Sequence, residues 1–233
     1  MTYAGRLDPM ATGKILVLIG DECARKSDYT SLDKEYVFEV LLGLETDTGD
    51  ILGLAESAGE SKPVEKEAIQ GAIDSLPDRV SLPYPIYSSK HVDGKPLFQH
   101  ARDGTISDVE IPERAMRIYD IHLEDVRITS SHDMVADINA RLGNLSVDPS
   151  SESPYKDFRV REIRARWSNV LGENRIFTIA RVRAVVSSGT YVRSIAPLIA
   201  RRLGTCGLAY TIHRTRIGTY VSLLRHGFWL RSY

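Results

Sequence analysis

Apolar residues along this chain recur mainly at every second position, the period of a half-buried strand, and only in a few stretches at helical spacing. Residues 14–19 read as a buried strand, and "GDECARKSDY" as a helix that Asp21 can cap. In "KEYVFEVLLG" Tyr36, Phe38, Val40 and Leu42 alternate onto one face, which predicts a strand. "TDTGD" is a turn. Val64, Ala68, Ile69 and Ile73 give residues 64–75 a helical stripe that Pro77 stops. A short helix over 96–103 ends at Gly104, and "RAMRIYDIHLEDVRI" reads as a long strand. Residues 129–155, rich in Ser, Asp and Asn, read as a loop insertion. Strands are expected at 158–167, 175–186 and 208–213. Between the last two, Val192, Ile195, Ile199 and Leu203 line one face of a helix over 190–203, closed by Gly204. Strands outnumber helices without alternating with them, and no repeat is visible. The pattern predicts an α+β fold, and 233 residues suit one large domain or two small ones.

At 42% apolar and 26% charged over 233 residues, the composition is that of a globular protein able to bury a core. The longest aliphatic run, Ile15–Ile19, is far too short for a membrane span, and no basic segment precedes it, so a soluble, cytoplasmic protein is expected. Cys23 and Cys206 form no metal or disulfide pattern. The net charge of −1 hides an asymmetry. Residues 1–155 carry 15 basic and 28 acidic side chains, whereas residues 156–233 carry 15 and 3. The basic half either meets a polyanion or pairs with the acidic half. Its interleaved aromatics, among them Trp167, Tyr191, Tyr210 and Trp229, suit stacked bases or a core.

Several candidate motifs fail on spacing. "GDECARKS" has Arg25 where a phosphate loop needs its second glycine, and "TDTGDILGLAE" lacks the acidic spacing of a calcium loop. His91 and His100 stand nine residues apart, so no metal is expected. Asp8 is different. Pro9 biases it away from the α region and Gly5 lets the chain bend sharply, which holds a carboxylate on a tight loop just before a strand. Such a carboxylate serves as a turn former or as a nucleophile.

The stretch around it, "AGRLDPMATGK", resembles the catalytic motif of the TruB branch of pseudouridine synthases, roughly G-x-L-D-P-x-A-x-G. Four further blocks agree in order: "GDECARKSDYTSLDKEYVFEVLLGLETDTGD", "YSSKHVDGKPLFQHARDG", "VSSGTYVRSIAPLIARRLG" and "IHRTRIG". The resemblance implies the pseudouridine synthase fold as a single catalytic domain over 1–233, with a central, mostly antiparallel mixed sheet, flanking helices and an RNA-binding cleft. It implies conversion of uridine to its C-glycoside isomer in the tRNA T-loop, without a cofactor, by a monomer whose partner is the T arm. It makes Asp8 the catalytic carboxylate, Arg193 its partner, and Tyr36 the ring stacked on the target base and assigned to C5 deprotonation. Tyr191 and Ile212 match pocket-lining positions. Tyr3 stands where the family often has a histidine that stacks in the opened T-loop. Lys90, His91, Lys95 and Arg102 fall, with His100, in a stretch resembling the loop that grips the T stem. The K-P-x-G-x-T-S stretch that normally precedes the motif is absent, and the 15 residues after "HRTRIG" are too few for a PUA module. An unpaired sheet edge and a weaker grip on tRNA are therefore expected. Two other readings stay open: a non-catalytic tRNA-binding or remodelling protein, and a guide-RNA-dependent synthase.

Overall fold

The computed structural model describes residues 1–57, 62–143, 145, 158–172, 174–223 and 226–233. The chain begins with β1 (Thr2–Ala4), β2 (Thr12–Gly13) and β3 (Leu16–Leu18), then a 3-10 turn and α1 (Lys26–Thr30). β4 (Asp33–Leu42) follows, then the hairpin of β5 (Leu44–Thr46) and β6 (Ala55–Ser57). After α2 (Lys66–Asp74) and β7 (Arg79–Pro83) comes a second small hairpin, β8 (His91–Val92) with β9 (Lys95–Pro96), leading into α3 (Leu97–Arg102). The remaining elements are β10 (Glu113–Ser130), α4 (Ser131–Gly143), α5 (Val160–Val170), β11 (Ile176–Val186), α6 (Val192–Arg202), β12 (Gly207–Leu223) and β13 (His226–Ser232).

The main sheet runs β13-β12-β4-β11-β10-β7 with every pair antiparallel, and β2 adds one short parallel pairing to β12. The mixed, mostly antiparallel sheet with flanking helices is the expected α+β architecture. β4 lies at its centre and is covered on both faces. Its even positions Tyr36, Phe38, Val40 and Leu42 join α2 and α6 in one core, where Val192, Ile195, Ala196, Ile199 and Ala200 supply the helix stripe. Leu41, with Ile179 and Phe177 of β11, faces a second core built by α4 and α5. The two-residue period of β4 therefore separates two hydrophobic layers, which explains its near-continuous apolar sequence.

Five elements differ from the pattern-based expectation. Residues 131–143 form α4 rather than loop, because Met134, Ile138 and Leu142 repeat at four-residue spacing and are buried. The Asp133 N–H donates to Ser130 Oγ, whose hydroxyl donates to the Asp133 carboxylate, a serine N-cap hidden in a Ser-rich stretch. The rest of the expected insertion, residues 144 and 146–155, lies outside the described residues. Residues 160–170 are helical, not extended, with Ile163 and Trp167 turned into the second core and Trp167 Nε1 donating to Ile51 O at 3.1 Å. Within 14–19 only Leu16–Leu18 is extended. It pairs with β1, and Val17 and Ile19 stay 50% and 68% exposed. Asp21 caps nothing: the 3-10 turn has Ile19 at its N-cap, with no side-chain bond. β12 also runs ten residues past the expected strand, through "HRTRIG".

Part of the charge asymmetry is internal pairing. Arg181 and Arg183 both donate to Glu124, Arg183 also meets Glu35, and Arg159 meets Asp47. Among the described residues no helix is long and apolar enough to cross a membrane. Trp167→Ala, which empties a fully buried helix site, should lower stability by about 3–5 kcal/mol. Ile128→Ala on exposed β10 should stay within about 0.5 kcal/mol in the same urea titration.

Candidate active site

The Asp8 loop is fastened to β12 at both ends. Ala11 N–H closes the turn on Asp8 O at 2.9 Å, and Thr12 and Gly13 pair in parallel with His213 and Arg214. A Cβ on Gly13, whose φ is +104°, would stand 2.2 Å from Arg214 O, so only glycine allows this approach. The fully buried Arg214 side chain then returns to the loop, donating from Nη2 to Gly5 O (2.9 Å) and from Nε to Lys14 O (2.7 Å). One arginine thus ties down the residues on either side of the carboxylate.

Arg193 approaches from the first turn of α6, and its guanidinium is 4% exposed. It grips Asp8 with two parallel bonds, Nε to Oδ2 at 3.0 Å and Nη2 to Oδ1 at 3.1 Å. Two further donors go to Thr48 O (3.3 Å) and Tyr87 O (3.2 Å). A second carboxylate, Asp50, brings Oδ2 to 3.6 Å from Nε. Asp50 is 2% exposed and is oriented by the Thr48 hydroxyl at 2.8 Å and the Leu52 N–H at 2.9 Å. Burial pushes the Asp50 carboxyl up to about 6, against the pull of Arg193. Pro197, four residues on from Arg193, offers no N–H to the Arg193 carbonyl. Gly49 passes that carbonyl so closely that a Cβ there would stand at 3.1 Å.

This pair lies in a cleft of about 620 Å3. Of the residues expected at the site, Asp8, Tyr36, Arg193, Tyr191, Ile212 and Arg102 line it. Tyr36 stands opposite Arg214 in the β4–β12 ladder, and Phe38 opposite Ile212, which brings the tyrosine and the isoleucine to one face. Burial raises the Tyr36 phenol while the Arg214 guanidinium opposes that shift. Tyr191 packs edge-on against Tyr84, with ring centroids 5.9 Å apart. Its loop is pinned by Arg114, which donates to Ser188 O (3.0 Å) and Tyr84 Oη (3.1 Å) beneath Gly189.

Tyr3, Lys90, His91 and Lys95 stand outside the cleft lining. Tyr3 is on β1 with Arg6 and Lys26 beside its ring. His91 and Lys95 lie on the β8–β9 hairpin with Lys90 just before it, and Lys95 pairs with Asp103 at 3.4 Å. The buried His100 braces that hairpin through Val92 O and Thr105 Oγ1. The motifs did not point to Asp50, Arg214 or Lys34 as members of the site. Lys34 Nζ donates to Thr30 O at 2.7 Å, and burial beside Arg214 lowers its ammonium to about 8. Among the described residues no group of His, Cys, Asp and Glu is placed to hold a metal.

The family model described as "TruB family pseudouridylate synthase (N terminal domain)" matches residues 1–143, which include Asp8, Tyr36 and Asp50. The chain belongs to the TruB family. A curated TruB-type relative, tRNA pseudouridine synthase B of Aromatoleum aromaticum, is 31% identical over 218 residues, covering 94% of this chain and 54% of the relative. The protein of the same name from Caldicellulosiruptor saccharolyticus is 28% identical, covering 94% and 58%. tRNA pseudouridine synthase 4 of Saccharomyces cerevisiae is 26% identical over 229 residues, covering 87% and 57%. The chain therefore spans little more than half the length of these relatives. A chain in the crystal structure of a Cbf5-Nop10-Gar1 complex shares the fold, with a TM-score of 0.52 at 16% identity, covering 93% of this chain and 40% of that one.

Two substitutions probe the TruB-type site. Gly189 has φ +75°, and a Cβ there would lie 2.2 Å from the Arg114 guanidinium, so Gly189→Ala should cost about 1–3 kcal/mol by chemical denaturation. Asp50 titrates near 3.8 when unfolded and about 6 when folded. Between those values the folded chain holds a proton that the unfolded chain has released, so stability falls as pH rises through the window. Denaturation across that range should show this slope in the wild type and lose it in Asp50→Asn.

Proposed function

We propose that this chain isomerises uridine to pseudouridine in the T-loop of tRNA, acting as a monomer through one catalytic domain and without a cofactor. The observation that carries the reading is the two-bond grip of Arg193 on Asp8 beside Tyr36 in the cleft. A carboxylate that attacks or supports a sugar carbon must be aimed, and the two parallel bonds of a buried guanidinium fork do this.

The reaction breaks the N1–C1′ bond, the uracil leaving with the bonding electrons. Asp8 takes up or supports the electron-poor C1′ during this step. The base turns, C5 bonds to C1′, the carboxylate is released, and the C5 proton departs while N1 regains one. Tyr36 offers a ring face to the extruded base. As a C5 base it would work against its raised pKa, helped only by Arg214. Arg214 and Lys34 place positive charge in the same cleft, where a detached uracil anion needs it. The apolar walls at Ile212 and Leu52 keep water from the opened sugar.

Flipping the uridine out of a folded arm costs a few kcal/mol. We assign the compensating grip to Lys90, His91, Lys95 and Arg102 around the β8–β9 hairpin and α3, and to Tyr3 as a stacking ring flanked by cations.

tRNA tritiated at C5 of uridine tests the proposal. The wild type should release tritium, Asp8→Asn should release none, and Arg193→Lys, which keeps the charge but loses the fork, should slow release by about a hundredfold or more. Binding without release by the wild type would replace this reading with the non-catalytic one.

A further inference from the structure

α5 starts from a residue in an uncommon conformation. Arg159, with φ 55° and ψ 31°, is in the left-handed region that non-glycine residues seldom occupy, and its carbonyl accepts the Ile163 N–H that opens the helix. Its side chain lines the cleft. Arg159 Nη1 donates to Asp47 Oδ2 at 2.8 Å, and its guanidinium carbon lies 4.7 Å from the centroid of the Tyr87 ring. Asp47 in turn accepts the Leu54 N–H at 2.8 Å, and burial together with the nearby Asp47 carboxylate raises the Tyr87 phenol. Further along the helix, Trp167 holds Ile51 O, and Ile163 and Trp167 are sunk in the second core. A single helix thereby grips the loop 47–51 at both ends.

Between those grips lie the Thr48 carbonyl and the Asp50 carboxylate, both partners of Arg193. A third partner is the backbone carbonyl of Tyr87, whose ring Arg159 covers. We propose that Arg159 is a positioning residue for the Asp8–Arg193 pair. It acts through Asp47 and Tyr87, fixing the two carbonyls that aim the Arg193 fork. With one edge on a carboxylate and its face on a ring, the guanidinium is engaged with the protein, not held out for phosphate. α5 lies beyond the residues matched by the family model, so this brace is a feature of the chain outside that core. The inference rests on Asp8 and Arg193 being the catalytic pair.

The test uses the full chain with Arg159→Ala, Arg159→Lys, Asp47→Asn and the Arg159→Ala/Asp47→Asn double variant. Single-turnover tritium release at saturating tRNA is measured alongside tRNA affinity across salt and amide exchange by NMR. Arg159→Ala should slow release by about ten- to a hundredfold and leave affinity and its salt slope unchanged. Exchange should speed up at Leu52 and Leu54, the amides held by Asp50 and Asp47, and not along β11. Arg159→Lys should recover part of the rate, and the double variant should be no slower than Arg159→Ala alone. An unchanged rate would overturn the proposal. So would weaker binding with a shallower salt slope at full saturating rate, which makes Arg159 a phosphate contact. Faster exchange throughout the sheet with a matching rate loss would reduce Arg159 to a stability residue. If the wild type itself releases no tritium, the enzymatic reading fails, and exchange at Leu52 and Leu54 still decides whether Arg159 holds the loop.

Discussion

Arg193 organises the centre of this protein. A guanidinium that is almost wholly buried must find partners for its donors, and here they are Asp8, with Asp50 close by, and two backbone carbonyls from separate segments. The need to satisfy that one cation draws together the first loop, the β5–β6 hairpin turn and the segment leading into the β8–β9 hairpin. Leaving such a charge unpaired costs several kcal/mol, so the arrangement is self-enforcing. The same contacts hold the Asp8 carboxylate at the lining of the cleft.

Arg214 repeats the principle from the neighbouring strand. It is as buried as Arg193, and its side chain ties both ends of the Asp8 loop through backbone carbonyls, with no carboxylate of its own in those bonds. Its charge is therefore felt by the groups around it, lowering Lys34 and opposing the upward shift of Tyr36. The cleft combines an aimed anion on one side with uncompensated positive charge on another.

Periodicity revealed the elements whose apolar residues obey one rule. β4, β10, β11 and α6 could be read because each presents a regular face. α4 was obscured because Ser, Asp and Asn outnumber its three core residues, and α5 because its arginines interrupt the Ile163–Trp167 spacing. Residues 15–19 misled in the other direction, since a continuous aliphatic run says nothing about which face is covered. At the site, Asp8, Tyr36 and Arg193 were accessible through ordered motifs and lie together in the cleft lining. Asp50 stood in plain view within "TDTGD", but burial beside Arg193, a property of the fold, is what distinguishes it from any turn aspartate. Arg214 likewise gains its place from strand pairing with Tyr36 and from parallel contact with Gly13.

The partners of the central ion pair are 185 residues apart in sequence, and the Arg214 tether to Gly5 spans 209. Contacts of such separation carry a large loop-closure cost and require both partners to have been synthesised. During synthesis the opening loop, closed early only by the pairing of β1 with β3, must therefore wait for α6 and β12 to emerge. A chain halted before α6 would display Asp8 without Arg193, and one halted before β12 would still lack the Arg214 tether. Competence for chemistry is thus among the last things this polypeptide acquires, and the loop that begins the sequence is among the last to settle.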